Sequence, residues 1–239
     1  MGSFVAEESF WKLFPQAAIG VVVATGMKST SEIARDDVDE IATLLKRANV
    51  DARRHLASDT ISENEPVKAW REAYRRFKTK KGARCSVENL LKRVLKDKPV
   101  GHITPAVDIY NTVSLTYALP VGGEDLHAIE GDLRLTVTEG GDAFLPLGED
   151  VDDPTLPGEL TYVDDAGAVC RCWNWRDGVR TALTDDSADA FFAIECVELD
   201  RTGDCQAAID RLAELLERYL GATIGAKTLV TRDNPRIAL

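Results

Sequence analysis

The stretch from Asp108 to Gly131 reads DIYNTVSLTYALPVGGEDLHAIEG. In it, the amide of Asn111 and the imidazole of His127 lie on either side of an apolar run and a glycine turn. The run from Val113 to Leu119 is rich in Val, Thr, Tyr and Leu, which favours a strand covered on both faces. Pro120 to Gly123 then reverses the chain, because proline fixes φ and glycine accepts positive φ. Asn111 and His127 would then face one cleft, where the amide can fix a polar substrate and the imidazole can hold water. The alternative for His127 is a structural role that pins the turn.

Further motifs follow in a fixed order. The stretch just described contains Asp-x-x-Asn, the apolar run, the glycine turn and Leu-His-Ala. It is followed by Gly158-Glu159, the hairpin sequence Asp164 to Gly167, the threonine-rich Thr181 to Thr184 and the apolar Phe191 to Leu199. This order resembles the B3/B4 domain of the β subunit of bacterial phenylalanyl-tRNA synthetase, over roughly residues 70 to 200. It is most similar to the free-standing B3/B4 proteins, which lack the other domains of the synthetase.

The resemblance implies hydrolysis of mischarged aminoacyl-tRNA in trans, since in the synthetase this module removes misattached tyrosine. Asn111 and His127 fall on positions of the family's editing pocket, and Gly158-Glu159 falls on its downstream pattern. Where the synthetase has a glycine-rich loop followed by a pocket glutamate, this chain has CRCWNWRDG from Cys170 to Gly178. Asp177 is therefore the candidate for the carboxylate that orients water, and the implied partner is the aminoacylated 3′ end of tRNA.

Hydrolysis of an ester needs only an oriented water and hydrogen bonds to the developing oxyanion, without a metal or a covalent nucleophile. The chain contains no G-x-S-x-G elbow, no P-loop and no G-x-G-x-x-G sequence, which excludes the commonest hydrolase, nucleotide and dinucleotide patterns. The competing hypothesis is a non-catalytic module that binds tRNA or an amino acid and has kept the fold.

Two other groups of residues have alternative interpretations. Glu159 lies in an apolar sequence, where a carboxylate is either a clamp on the N–H groups of a loop or part of a site.

Strand alternation would place Arg171, Trp173 and Trp175 on one face. That face could bind substrate by stacking on a base, worth about 1–3 kcal/mol per base, or it could cover the sheet.

The segment from Lys68 to Lys98 holds 12 Lys/Arg against 3 Asp/Glu, a local charge of +9 in a chain whose net charge is −11. Such a segment can bind a phosphate backbone while the acidic remainder repels other polyanions. We therefore predict RNA contacts at Arg75, Arg76, Lys92 and Arg93. The alternative is a solvated helical pair that offsets its own acidic neighbours.

The cysteines and histidines do not predict a metal centre or a cofactor. No C-x-x-C sequence is present, and the three histidines, His55, His102 and His127, are far apart in the chain. Cys170 and Cys172 alone are weak evidence for zinc, and buried free thiols are the better interpretation. We expect no obligatory metal.

Length and composition fit an ordinary globular protein, with 239 residues, 44% apolar and 29% charged. The longest stretches without charge are about 15 residues, below the roughly 20 that a membrane-spanning helix needs. The N-terminal sequence is acidic before it is apolar, the reverse of a secretory signal. We therefore expect a cytoplasmic protein that does not cross a membrane, and the sequence leaves its oligomeric state open.

The predicted fold is a single α/β domain over residues 1–239, with a mixed sheet flanked by helices and a B3/B4-like core over about residues 70–200. A strand and a helix extend this core at the N-terminus, and a helix extends it at the C-terminus. The tail from Ala222 to Leu239 is polar, and we expect it to be only partly ordered. The clearest strands are Ala17 to Thr25, Asp132 to Thr138 and Phe191 to Leu199, and the clearest helices follow Asp36, Pro66, Ser86 and Cys205.

Overall fold

The structure is a computed structural model that describes residues 2–239. Its α-helices are α1 (Glu8–Leu13), α2 (Arg35–Asp51), α3 (Glu65–Ala73), α4 (Ser86–Leu95), α5 (Pro105–Tyr117) and α6 (Thr202–Leu220). Its strands are β1 (Ser3–Ala6), β2 (Ala18–Thr25), β3 (Val121–Asp125), β4 (Leu133–Val137), β5 (Leu160–Val163), β6 (Ala168–Arg171), β7 (Arg176–Asp177), β8 (Ala190–Cys196), β9 (Thr223–Val230) and β10 (Arg236–Ala238).

The strands form two sheets rather than one. The first has the order β10-β1-β4-β5-β6-β7 and is mixed, because β1 runs parallel to β4 while the other pairs are antiparallel. The second has the order β3-β8-β2-β9 and is antiparallel throughout. The predicted mixed α/β fold is therefore confirmed, with a second sheet that the sequence did not indicate.

The two sheets pack against each other through aromatic side chains. Phe4 of β1 and Phe191 of β8 lie with their ring centroids 5.2 Å apart, and both are buried. On the opposite side of the second sheet, α6 packs so closely on β2 that a Cβ added to Gly20 would lie 2.7 Å from Cγ1 of Ile209. The space between the sheets is thus separated from the helical layer that includes α6.

The predicted strand from Val113 to Leu119 is wrong, since most of this run belongs to α5. Thr104 caps the helix, its side-chain oxygen accepting a main-chain N–H of the first turn at 3.4 Å, and Pro105 occupies the start. Ile109, Val113 and Leu115 are all buried within α5. A helix buried over most of its surface lacks the apolar stripe that would distinguish it from a strand.

The expectation that the tail from Ala222 to Leu239 is only partly ordered is also wrong. β9 pairs with β2 over most of its length, and β10 pairs with β1. Both partner strands lie near the N-terminus, so local sequence carries no sign of the pairing. The exposure of β9 alternates along its first half, which explains why the tail looks polar.

The predicted turn from Pro120 to Gly123 is also wrong, because Val121–Asp125 is β3 and neither Gly122 nor Gly123 has positive φ. The strands and helices that were clearest in the sequence agree with the structure to within a few residues. β2, β4 and β8 occupy the predicted strands, and α2, α3, α4 and α6 the predicted helices. No helix among residues 2–239 is long and apolar enough to cross a membrane.

Candidate functional site

A cavity of about 70 Å³ lies between the two sheets. Its wall from the second sheet consists of β3 and β8, and its wall from the first sheet consists of β5, β6, β7 and the turn between β6 and β7. The residues that line it are Ser86, Val121, Gly122, Glu124, Tyr162, Cys170, Trp173, Asn174, Trp175, Asp177, Phe191, Ala193 and Glu195.

Buried polar atoms without a hydrogen-bond partner are concentrated around this cavity. Within the described part of the chain there are six such side-chain atoms, and five belong to lining residues: Ser86 Oγ, Glu124 Oε2, Trp173 Nε1, Asn174 Nδ2 and Glu195 Oε2. Leaving one buried polar group unpaired costs about 1–3 kcal/mol. Buried polar groups of this kind are normally satisfied by ordered water or by a ligand, so this cavity is the candidate site.

Glu195 points from β8 into the cavity and is 2% exposed. Its Oε1 accepts a hydrogen bond of 2.9 Å from the hydroxyl of Tyr162, while Oε2 has no partner in the protein. Burial raises the pKa of the Glu195 carboxyl to about 8, against the lowering effect of the Tyr162 hydroxyl. A carboxyl with this pKa can exchange a proton near neutral pH.

Two further acids line the cavity. Burial raises the pKa of Glu124 well above its ordinary range, and the nearby charge of Asp177 raises it further. Burial also raises the pKa of Asp177, which belongs to the partly exposed strand β7. Glu124 pairs with Phe191, four residues before Glu195 on β8, so the backbones of the two glutamates are roughly 13 Å apart along the strand. The charge of Asp177 acts on both glutamates.

Asn174 is held in place by α3 and α4. The hydroxyl of Tyr74, just after α3, donates to Asn174 Oδ1 at 2.9 Å, and the main-chain N–H of Ser86 donates to the Asn174 carbonyl at 3.1 Å. With its oxygen engaged, the amide presents its unpaired Nδ2 at the cavity. The two helices that carry the basic segment are therefore fixed to the cavity wall.

The predicted alternation of Arg171, Trp173 and Trp175 on one face is interrupted by a turn. Cys172 and Trp173 both have positive φ, 46° and 68°, and β6 ends at Arg171. Trp173 is fully buried, with its ring centroid 4.8 Å from that of Trp70. Trp175 stays partly exposed at the cavity. The ring of Trp173 therefore packs in the core with its unpartnered Nε1 at the cavity, whereas Trp175 keeps a partly exposed ring there.

Glu159 has the contacts of a structural clamp. Its carboxylate forms a bidentate pair with Arg171, at 2.9 and 2.6 Å, and accepts the main-chain N–H groups of Leu156 and Cys172. Burial acts to raise the pKa of Glu159, but these bonds hold it below its ordinary value. Glu159 and Arg171 are both fully buried, and neither lines the cavity.

His127 lies in a different depression, an open cleft of about 800 Å³. Its Nε2 is 2.9 Å from Asp189 Oδ2, and its main-chain N–H donates to Asp125 Oδ1 at 2.8 Å. The imidazole is 71% exposed. Asn111 is buried in α5 and lines neither this cleft nor the cavity between the sheets. The structure thus does not bring Asn111 and His127 together.

A model of the B3/4 domain family matches residues 69–221, a range that contains every residue lining the cavity. This chain belongs to the B3/4 domain family. Among solved structures, an N-terminal fragment of the phenylalanyl-tRNA synthetase β subunit from Pyrococcus horikoshii is similar to it, with 12% identity and a TM-score of 0.48. The match covers 92% of this B3/4 chain and 49% of that one, so the chain spans about half the length of the fragment. A comparison with curated proteins gave no match.

The basic segment of the B3/4 protein extends over α3, the connection that follows it and α4. Lys92 and Arg93 are exposed on α4. Arg75 pairs with Glu72 at 2.7 Å, and Arg76 donates to the Leu13 carbonyl at 3.2 Å while its guanidinium lies over the Phe14 ring. Arg93 donates to the Pro99 carbonyl at 3.2 Å. Of the four predicted RNA-binding side chains, two therefore lie on α4 and two follow the end of α3, and three of them have contacts within the protein.

The cysteines of the B3/4 protein are free and buried, all five of them. Burial raises the pKa of Cys170 well above its ordinary value, so it is a thiol at neutral pH. Among the described residues, no group of three or more His, Cys, Asp or Glu side chains is arranged to hold a metal ion.

Sequence reasoning missed Glu124 and Glu195, the two most deeply buried acids of the cavity. Each stands in a β-prone or glycine-rich sequence, VGGED and FFAIEC. An acid within such a run is the signal that could have identified them, because a carboxyl there is either paired or functional. Glu159 also stands in an apolar sequence, and it is paired with Arg171.

Proposed function

We propose that this B3/4 protein hydrolyses the ester bond of mischarged aminoacyl-tRNA, with the aminoacyl group in the cavity between the sheets. The observation that supports the proposal is the set of five unpartnered polar atoms around that cavity. They include N–H donors for a carbonyl oxygen and carboxyl groups for a water and an amine. An ester of an amino acid contains both of the groups that such a set complements.

The reaction needs an attacking water and stabilisation of the oxyanion. In our proposal Asp177 orients the water and accepts its proton, while Asn174 Nδ2 and Trp173 Nε1 donate to the carbonyl oxygen. Water adds to the carbonyl carbon, the bond to the ribose oxygen breaks, and the 3′-hydroxyl of the tRNA leaves with the proton. Each donor aimed at the oxyanion contributes about 10²–10³ in rate in enzymes of this kind.

The tRNA would approach along α3 and α4. Their exposed basic residues include Lys92 and Arg93, and the same two helices hold Asn174 through Tyr74 and Ser86. Phosphates bound on these helices would therefore lie beside the cavity. For His127 we propose contact with the terminal ribose, since it lies three residues after Glu124 at the edge of an open cleft. For the buried Asn111 we propose a packing role.

The test is release of amino acid from a panel of aminoacyl-tRNAs incubated with the purified protein. We expect accelerated release from at least one mischarged tRNA and no effect on the correctly charged species. Binding of tRNA without any release would contradict the proposal and favour the non-catalytic module instead.

A further inference from the structure

The buried acids of this protein fall into two groups. Four of them have a basic partner: Glu88 with Arg71, Asp108 with His102, Glu159 with Arg171 and Asp164 with Arg180. Glu124 and Glu195 are equally buried and form no ion pair within the described residues. Burial without a base favours the neutral, protonated carboxyl, whereas a cation that enters beside such a group favours its charged form. These two acids can therefore respond to a cationic ligand in a way that the four paired acids cannot.

The unpartnered groups are concentrated near the Glu195 end of the cavity. The Tyr162 hydroxyl donates a hydrogen bond to Glu195, and the Asn174 amide, as a more distant donor, also lowers the pKa of Glu195. Ser86, whose N–H bonds to the Asn174 carbonyl, adds a buried hydroxyl oxygen without a partner. This end therefore offers two acceptors, Glu195 Oε2 and Ser86 Oγ, next to one donor, Asn174 Nδ2.

A primary ammonium group next to a carbonyl group matches this set. The ammonium donates three hydrogen bonds and accepts none, while the carbonyl oxygen only accepts. Tyr162 and Trp173 also line the cavity, and Trp173 has its unpartnered Nε1 there. A hydroxy acid or an N-acylated amino acid would lack the positive charge and leave Glu195 unpaired.

The size of the cavity limits the side chain of the ligand. Its volume is about 70 Å³, whereas an engineered cavity that accepts benzene measures about 150 Å³. A phenyl or phenol ring would therefore displace the packed side chains around it. A hydrogen or a methyl group on the α-carbon would fit.

We propose that Glu195, Ser86 and Asn174 form a subsite for the free α-amino group and the carbonyl of a small amino acid, and that this cavity rejects aromatic amino acids. The inference rests on the proposed function only in taking the amino acid to arrive as a tRNA ester. The subsite itself concerns the amino acid alone and can be tested without RNA.

The experiment is calorimetric titration of the protein with L-alaninamide, which has the ammonium and carbonyl groups but no ester to hydrolyse. We expect binding at millimolar concentrations, and binding at least about tenfold weaker for N-acetyl-L-alaninamide, which lacks the charge. L-Tyrosinamide should also bind at least about tenfold more weakly. Absence of alaninamide binding, or equal affinity for the acetylated form, would overturn the ammonium subsite. Equal or tighter binding of tyrosinamide would overturn the size limit.

Substitutions of single glutamates test whether Glu195 is the group that binds the ammonium. Glu195→Gln keeps the shape of the side chain and should weaken alaninamide binding at least about tenfold. The matched control is Glu198→Gln, which lies outside the cavity and should bind as the wild type does. Equal affinity in Glu195→Gln and wild type would contradict the assignment. The titration with N-acetyl-L-alaninamide uses the wild type, so it decides the question even if the Glu195 variant folds poorly. Failure to hydrolyse aminoacyl-tRNA would reject the proposed function and leave these binding results standing.

Discussion

The hydroxyl of Tyr74 donates a hydrogen bond to Asn174 Oδ1 at 2.9 Å. Tyr74 is next to Arg75, one of the residues predicted to bind RNA, and Asn174 lines the cavity proposed to hold the aminoacyl group. The bond therefore connects the proposed RNA-binding surface to the proposed reaction site. It also fixes which end of the amide faces the cavity.

Tyr74→Phe removes this bond while keeping the ring. We expect kcat for deacylation to fall about tenfold, because the amide is then free to turn its oxygen towards the oxyanion. The affinity for tRNA should not change, since the substitution leaves every basic side chain in place. Stopped-flow deacylation together with a tRNA binding assay separates the two quantities. A loss of tRNA affinity with unchanged kcat would show that the bond positions α3 rather than Asn174.

Stability should fall as pH rises between about 5 and 8. The ordinary pKa of a glutamate is 4.5, and burial raises that of Glu195 to about 8. Within this window the unfolded chain releases the proton while the folded protein keeps it, so the free energy of unfolding decreases. Each unit of difference in pKa is worth about 1.4 kcal/mol, and 1 kcal/mol shifts the melting temperature of a chain of this size by about 2–4 °C.

Melting curves of Glu195→Gln, recorded at several pH values, check whether Glu195 causes this fall in stability with pH. The variant cannot ionise at this position, so its melting temperature should fall less between pH 5 and pH 8 than that of the wild type. Burial shifts the pKa of Glu124 and Asp177 in the same direction, and a residual slope in the variant is expected from them. The neighbouring Tyr162 and Cys170 stay uncharged throughout, because burial raises their pKa values. Identical slopes in variant and wild type would contradict the assignment to Glu195.

The sequence could predict the elements that obey simple periodicity. β2 is apolar over almost its whole length, and α4 has one apolar and one basic face, so both were recognised. α5 and β9 were not, because α5 is buried over most of its surface and β9 owes its order to pairing with the distant β2. Burial and pairing of this kind depend on the tertiary structure, which a local pattern does not contain.

The candidate site was only partly predictable for a similar reason. Asp177 was identified and lines the cavity, whereas Glu159 and Arg171 were identified and bind each other. A sequence shows that an acid stands in an apolar strand, but it does not show whether a base reaches that acid in the fold. Glu159 has such a base and Glu195 does not.

Charge reversal on the basic helices should weaken tRNA binding. We expect the variant with Arg75, Arg76, Lys92 and Arg93 changed to Glu to bind tRNA with lower affinity and a smaller dependence on salt. Binding then makes fewer phosphate contacts and therefore releases fewer counterions. The control reverses the same number of charges elsewhere, at Arg211, Arg218, Lys227 and Arg232. Affinity measured over a range of salt concentrations decides the matter. An equal loss in both variants would indicate a general effect of net charge.

His127→Ala tests the proposed contact with the terminal ribose. The imidazole is exposed in the open cleft, so we expect KM to rise about tenfold with little change in kcat. Its bond to Asp189, which also accepts the N–H of Gly26, suggests the alternative role of pinning the turn. In that case the substitution would lower the melting temperature, and the KM measured at a temperature well below melting would match that of the wild type.

The most direct test of the account is the single-turnover rate at which Asp177→Asn releases amino acid from the aminoacyl-tRNA that the wild type hydrolyses. An amide at this position cannot take a proton from water, so we expect the rate to fall by about 10²–10³ with tRNA affinity unchanged. Asp59→Asn, an exposed acid that lines neither the cavity nor the open cleft, is the control and should keep the wild-type rate. A rate for Asp177→Asn equal to that of the wild type would show that the cavity between the sheets is not where the ester is hydrolysed.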